Sequence, residues 1–258
     1  MGVIVSGDTT ESESVVLDFS TAKKQIKNLI DHQEYGLDHK LWIPKELEDS
    51  YLGDDGTFYF VSKETKFALP ENAIRRIDLS IPIYQTIEKF LKYHMPEFDF
   101  SVVLDESVPF VFGNVMSNPG FFRYTHGLKD STSWGCQNIS HGHMSYIYTE
   151  GPNAEACEAL NIEIAQHLEE SVFVMRSNII KEDGDFVLVG YRTERGDFAV
   201  DYNRTLYKLC ILETETTIEF LVDYVARLYA TKLKEAGVTK LFVSEGLLKG
   251  ACVSMENY

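Results

Sequence analysis

Four stretches of this chain carry helical periodicity, and short β-like runs separate them. The helical stretches are 20–32, 83–95, 153–170 and 216–235. In the first, Ala22, Ile26, Leu29 and Ile30 form one apolar stripe, with Ser20 or Thr21 as the expected N-cap. In the third, Ala156, Leu160, Ile164 and Leu168 recur at four-residue steps, and Gly237 stops the fourth. The strand-like runs are 14–19, 57–61, 77–81, 98–104, 121–126, 142–149, 171–181, 186–192, 197–202, 239–244 and 250–254. This order predicts an α+β fold of antiparallel sheets with helices layered on one face.

At 258 residues the chain can bury a core without disulfide or metal staples. The stretch from Pro109 to Gly120 holds Gly113, Asn114, Asn118 and Pro119, and marks the expected boundary between units 1–115 and 116–258. With 24 basic and 40 acidic residues the net charge is −16. Phosphate backbones repel such a chain, so a direct nucleic-acid partner is not expected. No run of eighteen apolar residues offers a membrane span, and the first residues lack the pattern of a secretory signal. Cys136, Cys157, Cys210 and Cys252 are scattered without a CxxC pair, which fits a reducing cytoplasm. The last three sit in apolar or strand-like runs and read as packing residues.

A weak internal repeat runs through both units. Val16-Leu17-Asp18-Phe19 echoes Ala199-Val200-Asp201-Tyr202. Thr86-Ile87-Glu88 echoes Thr217-Ile218-Glu219, and Val103–Glu106 echoes Phe242–Glu245. The order strand, helix start, strand ending in Glu occurs twice, which favours a duplication.

The strongest local chemical signal is His126 followed by His141-Gly142-His143. His-x-His in a strand puts both imidazoles on one face, because strand side chains alternate. With His126 on a neighbouring strand, three imidazoles suit a Zn²⁺ with one open position. Nitrogen ligands without a thiolate also suit iron or nickel. Cys136 lies between these histidines in a polar loop, where a nearby cation would activate it as nucleophile or base. Asp38-His39 forms a candidate proton-transfer pair. Glu106 and Glu245 each end an apolar strand, where a carboxylate needs a partner such as the N–H edge of a heterocycle. His32, His94 and His167 read as surface or capping groups.

Together these residues resemble the 6-pyruvoyl-tetrahydropterin and 6-carboxy-tetrahydropterin synthase family of the tunnelling fold. The matching segments are Phe122 to His126, then Cys136, then His141-Gly142-His143. Val16-Leu17-Asp18-Phe19, the following helix, Leu37-Asp38-His39-Lys40 and the two Thr-x-Glu segments match as well. The order departs from one family domain, because Asp38-His39 precedes the histidine trio. The resemblance therefore implies two fused, diverged modules, or else a circular permutation, assembled into an oligomeric barrel.

For the site, the resemblance implies Zn²⁺ on His126, His141 and His143, acting as a Lewis acid. Cys136 would be the general base, and Asp38 with His39 would handle the second proton. Glu245 or Glu106, helped by Thr217 or Thr86, would grip the pterin. The implied activity is that of a zinc lyase on 7,8-dihydroneopterin triphosphate. The expected product is 6-carboxy-tetrahydropterin, on the route to 7-deazaguanines such as queuosine, with 6-pyruvoyl-tetrahydropterin as the alternative. The reading from another class is a non-catalytic pterin- or purine-binding protein. The expected partners are the small pterin and further copies of the chain.

Overall fold

Residues 2–8, 16–62, 65–104, 119–246 and 249–258 are described by the computed structural model. The first half holds β1 (Gly2–Ser6), α1 (Phe19–Ile30), β2 (Leu41–Pro44), β3 (Ser50–Leu52), β4 (Thr57–Val61), β5 (Lys66–Pro70), β6 (Ile74–Ile77), α2 (Ile83–His94) and β7 (Asp99–Val103). The second opens with β8 (Gly120–His126), β9 (His141–Glu150), α3 (Ala154–Leu168), β10 (Ser171–Met175), β11 (Ile179–Asp183) and β12 (Phe186–Thr193). It ends with β13 (Gly196–Asn203), β14 (Lys208–Leu212), α4 (Ile218–Leu228), α5 (Ala230–Glu235), β15 (Lys240–Ser244) and β16 (Gly250–Ser254).

The fold is α+β, and its central sheet has the order β14-β10-β8-β9-β15-β16. Strand β8 shows why this sheet has one dry, helix-covered face and another that is open at β8. Phe122, Tyr124 and His126 are buried, whereas their neighbours Phe121 and Arg123 are exposed. On the dry face Phe122, Tyr124, Ile147 and Leu241 meet Leu160, Ile164 and Leu168 of α3 and Leu221, Val222 and Val225 of α4. Each such side chain, fully buried, contributes about 1.5–3 kcal/mol. Helices α3 and α4 therefore cover one face, as the periodicity predicts.

The sheet is mixed rather than antiparallel throughout. β10 runs parallel to both β8 and β14. Helix α3 carries the chain from β9 across β8, so β10 enters on the far side of β8. The expected helix 216–235 is two helices. The backbone of Tyr229 leaves helical geometry (φ −106°, ψ 11°) where its ring is buried and its hydroxyl meets His167 Nδ1 at 2.6 Å. Gly237 (φ +70°) then closes the second helix, with Val238 N–H donating to the Leu233 carbonyl at 2.9 Å.

Two local expectations give way to side-chain caps. Asp18, expected in a strand, caps α1 by accepting from Thr21 N–H at 2.9 Å, so neither Ser20 nor Thr21 is the N-cap. Its echo, Asp201, lies inside β13, so the two aspartates are not equivalent in structure. The run 77–81 ends its strand at Ile77, because Asp78 accepts from Ser80 N–H at 3.0 Å and turns the chain.

A second six-stranded sheet, β11-β12-β13-β5-β4-β3, is antiparallel. It joins strands from both sides of residue 116, with Ala68 of β5 opposite Ala199 of β13. Its Val187, Val189, Phe198 and Val200 pack with Val172 and Val174 of β10. A smaller unit packs Ile87, Phe90 and Leu91 of α2 with Val102 of β7 and Leu37. Glu88 accepts from Val102 N–H at 2.8 Å and pins α2 to that strand. No helix among the described residues is long and apolar enough to cross a membrane.

Candidate metal centre

The β8–β9 hairpin pairs His126 with His141 and Tyr124 with His143. This register brings all three imidazoles to the end of the dry face, and their ligand atoms lie within 4.8 Å of one another. His126 Nδ1 meets the Thr216 carbonyl at 2.6 Å, and His141 Nδ1 meets the Asn138 carbonyl at 3.0 Å. A carbonyl only accepts, so each Nδ1 carries the proton and each Nε2 presents a lone pair. Nε2 of His126, His141 and His143 is buried with no hydrogen-bond partner among the described residues.

Burial, reinforced by its two imidazole neighbours, holds His126 well below its ordinary pKa. Burial also brings His141 down to about 3 and lowers His143. The trio is neutral at pH 7. An unsatisfied buried nitrogen costs about 1–3 kcal/mol, so three together form an expensive cluster that one divalent ion would satisfy. The donor set fits zinc, and the carbonyls that fix His126 and His141 are the outer partners such a ligand needs.

Glu245 follows β15 directly and stands at this cluster. Its Oε1 is 3.7 Å from His126 Nε2 and 3.9 Å from His143 Nε2. Its Oε2 takes Lys249 Nζ at 2.6 Å. Glu245 therefore stands beside the three imidazoles and also borders the cavity next to them.

Asp38 and His39 arrive from the loop after α1. Asp38 Oδ2 holds His39 Nδ1 at 2.6 Å, and the His39 ring centre is 5.9 Å from that of His141. The Asp38 hydrogen bond raises His39 against the opposing effect of burial. Burial would raise Asp38, but the His39 hydrogen bond and charge overcome it and hold the carboxyl low. His39 has φ +54°, a left-handed conformation uncommon for a residue with a Cβ. Its carbonyl accepts from Asn138 Nδ2. Lys40 Nζ donates to the carbonyls of Gln33 and Asn72 and ties down the same loop. Arg195 donates to the Trp134 carbonyl at 2.6 Å, to Asn138 Oδ1 at 2.8 Å and to Asn72 Oδ1 at 3.0 Å.

A cavity of about 1070 Å³ opens beside these groups. His39, His141, His143 and Glu245 line it together with apolar side chains such as Trp42, Phe67 and Phe198. Cys136 is half-buried and does not line this cavity, although Gly135 beside it packs on the His39 ring. Thr217 occupies the N-cap position of α4 without a side-chain capping bond, one residue past the carbonyl that orients His126, and it too does not line the cavity. Thr86 lies in α2, away from the cavity, and Glu106 is outside the described residues.

Cys157 and Cys210 are buried in the main core, as expected, but Cys252 is exposed because β16 is an edge strand. Sequence reasoning missed Asn138, Lys249 and Arg195. The only signal for Asn138 was its place in the polar loop between Cys136 and His141.

No protein-family model matches the sequence, and no curated protein matches it. Among solved structures, 6-pyruvoyl tetrahydropterin synthase from Plasmodium vivax is similar at 12% identity and a TM-score of 0.37. The enzyme of the same name from Plasmodium falciparum is similar at 11% and 0.38. Each alignment covers 52% of this chain and 90% of the other. An uncharacterized protein from Wolinella succinogenes is similar at 11% identity and a TM-score of 0.35, over 53% of this chain and 95% of its own.

Proposed function

We propose that this chain is a metal-dependent lyase of the pterin-synthase type, with Zn²⁺ on His126, His141 and His143. The observation that carries the reading is the 5.9 Å between the ring centres of His39 and His141, which puts an Asp–His pair against three imidazoles whose Nε2 atoms have no hydrogen-bond partner among the described residues. The non-catalytic alternative has no use for that pair beside the trio.

When bound, the metal supplies Lewis acidity toward the oxygens of a substrate side chain. Asp38 fixes Nδ1 of His39, so His39 Nε2 is the atom left to give or take a proton. Cys136 is assigned the second proton transfer on the resemblance alone; its side chain does not line the cavity, and its loop meets His39 through Gly135. Trp42, Phe67 and Phe198 give the heterocycle an apolar wall. The substrate proposed is 7,8-dihydroneopterin triphosphate and the product 6-carboxy-tetrahydropterin. The two-module organisation, with units 1–115 and 116–258, and an oligomeric assembly belong to the same proposal.

Metal analysis of the purified chain tests the first step. About one zinc per chain, lost in His141→Ala, supports the centre, and a metal-free chain overturns it. With zinc present, the chain should consume dihydroneopterin triphosphate. His39→Ala and Cys136→Ala should abolish turnover while keeping the metal.

A further inference from the structure

We propose that Glu245 is a fourth protein ligand of the metal, making a three-imidazole, one-carboxylate centre that is closed before substrate arrives. The proposal rests on the metal reading above and adds to it a residue and a coordination state.

Distance is the first argument. Two ligand atoms ~2.1 Å from a tetrahedral ion stand about 3.4 Å apart. Glu245 Oε1 is 3.7 and 3.9 Å from two of the three Nε2 atoms, a few tenths of an ångström beyond that spacing. The imidazole nitrogens lie within 4.8 Å of one another, so the trio too must draw inward to hold an ion. His141 stands farther from Glu245 than the other two, beyond 4.0 Å, so it has the longest way to move as the four side chains close on an ion.

Orientation is the second. Glu245 is 7% exposed, and its backbone is fixed by the strand it follows. Ser145 Oγ donates to the Ser244 carbonyl at 2.7 Å, and Glu245 N–H donates to the Lys249 carbonyl at 2.8 Å. Lys249 Nζ, on an exposed side chain, holds Oε2 and leaves Oε1 turned to the trio. This is the arrangement of a ligand carboxylate whose second oxygen is held by an outer partner.

Charge is the third. Three neutral imidazoles around a dication leave two uncompensated positive charges in a buried place, which is costly. One carboxylate halves that charge. A carboxylate meant for the N–H edge of a heterocycle would instead stand a ring's length from the metal, with its oxygens free toward the cavity.

The test uses Co²⁺ as the probe, because its visible absorption reports the number and type of ligands. The intact chain should bind one Co²⁺, and added azide should leave its spectrum unchanged. Glu245→Gln should bind Co²⁺ about tenfold or more weakly in chelator competition, and its spectrum should shift on adding azide. Glu245→Asp keeps the charge, loses one methylene of reach and should behave in the same way, so a folding failure of the first variant does not leave the matter open. Equal affinity and equal azide response in the parent and both variants would overturn the fourth-ligand assignment and return Glu245 to substrate binding. In that case the three-imidazole centre stands. Only an intact chain that binds no Co²⁺ overturns both readings.

Discussion

Gly135 and the ring of His39 pack so closely that no Cβ fits between them. A methyl group on Gly135 would sit 2.8 Å from His39 Nδ1 and closer still to the ring carbons. That nitrogen is the one Asp38 holds, so the methyl would push His39 off its partner. Gly135→Ala should therefore lower turnover about 10²-fold, the cost of a displacement near 1 Å at a reacting group. Zinc content should be unchanged, because the atoms nearest the added methyl all belong to His39. Zinc loss in step with activity would show that the loop supports the metal and not His39.

Asn138 joins the two halves of the site. Its carbonyl accepts from His141, its Nδ2 donates to the His39 carbonyl, and its Oδ1 accepts from Arg195. Arg195 is shared with the Trp134 carbonyl and Asn72, and it lies 4.9 Å from the Trp134 ring centre. Burial lowers its pKa to about 10, so it remains charged at neutral pH. Lysine cannot reproduce this planar fork. Arg195→Lys should cost about 1–3 kcal/mol in urea unfolding, because buried acceptors lose their donors. It should also lower kcat more than it raises KM. An unchanged unfolding midpoint would mean that the network contributes no stability.

The Asp38–His39 pair sets a pH dependence of its own. Its folded pKa is raised, so the stabilisation is complete below about 6.5, the unfolded value, and is lost as pH rises through the folded pKa. Both side chains are about two-fifths exposed, at 46% and 39%, so the effect is at most about 1 kcal/mol. Asp38→Asn should bring the His39 pKa down toward or below 6.5 in an NMR titration and remove this trend. A His39 pKa unmoved by Asp38→Asn would sink the pairing.

Much of the trio was legible from two local rules. Alternation puts His141 and His143 on one face, and a hairpin opposes His126 to His141. The stripe Ala22, Ile26, Leu29 and Ile30 was equally legible, and these residues are the half-buried ones of α1 between Phe19 and Ile30. What escaped depends on long-range pairing. Glu245 reaches the trio because β15 pairs with β9, Val243 lying opposite Ile147, and nothing in its neighbourhood encodes that register. The bond between β5 and β13 spans more than a hundred residues and left no periodic trace. Arg195 sits in a turn and reads locally as a solvated charge.

The trio itself makes the metal-free chain acid-sensitive. In the unfolded chain each imidazole takes a proton near pH 6.5. In the folded chain burial delays that proton, down to about pH 3 for His141 and in the same direction for His126 and His143. Between these values the unfolded state binds more protons, so stability falls as pH falls from 6.5. The slope is up to about 1.4 kcal/mol per pH unit for each imidazole. Zinc binds only the neutral rings, so a zinc-loaded sample should hold a higher unfolding midpoint at pH 7 and lose its metal as the pH drops. Urea midpoints measured with and without zinc from pH 7 to pH 4 check both parts. A metal-free midpoint that stays flat over this range would mean that the three rings are not held neutral together.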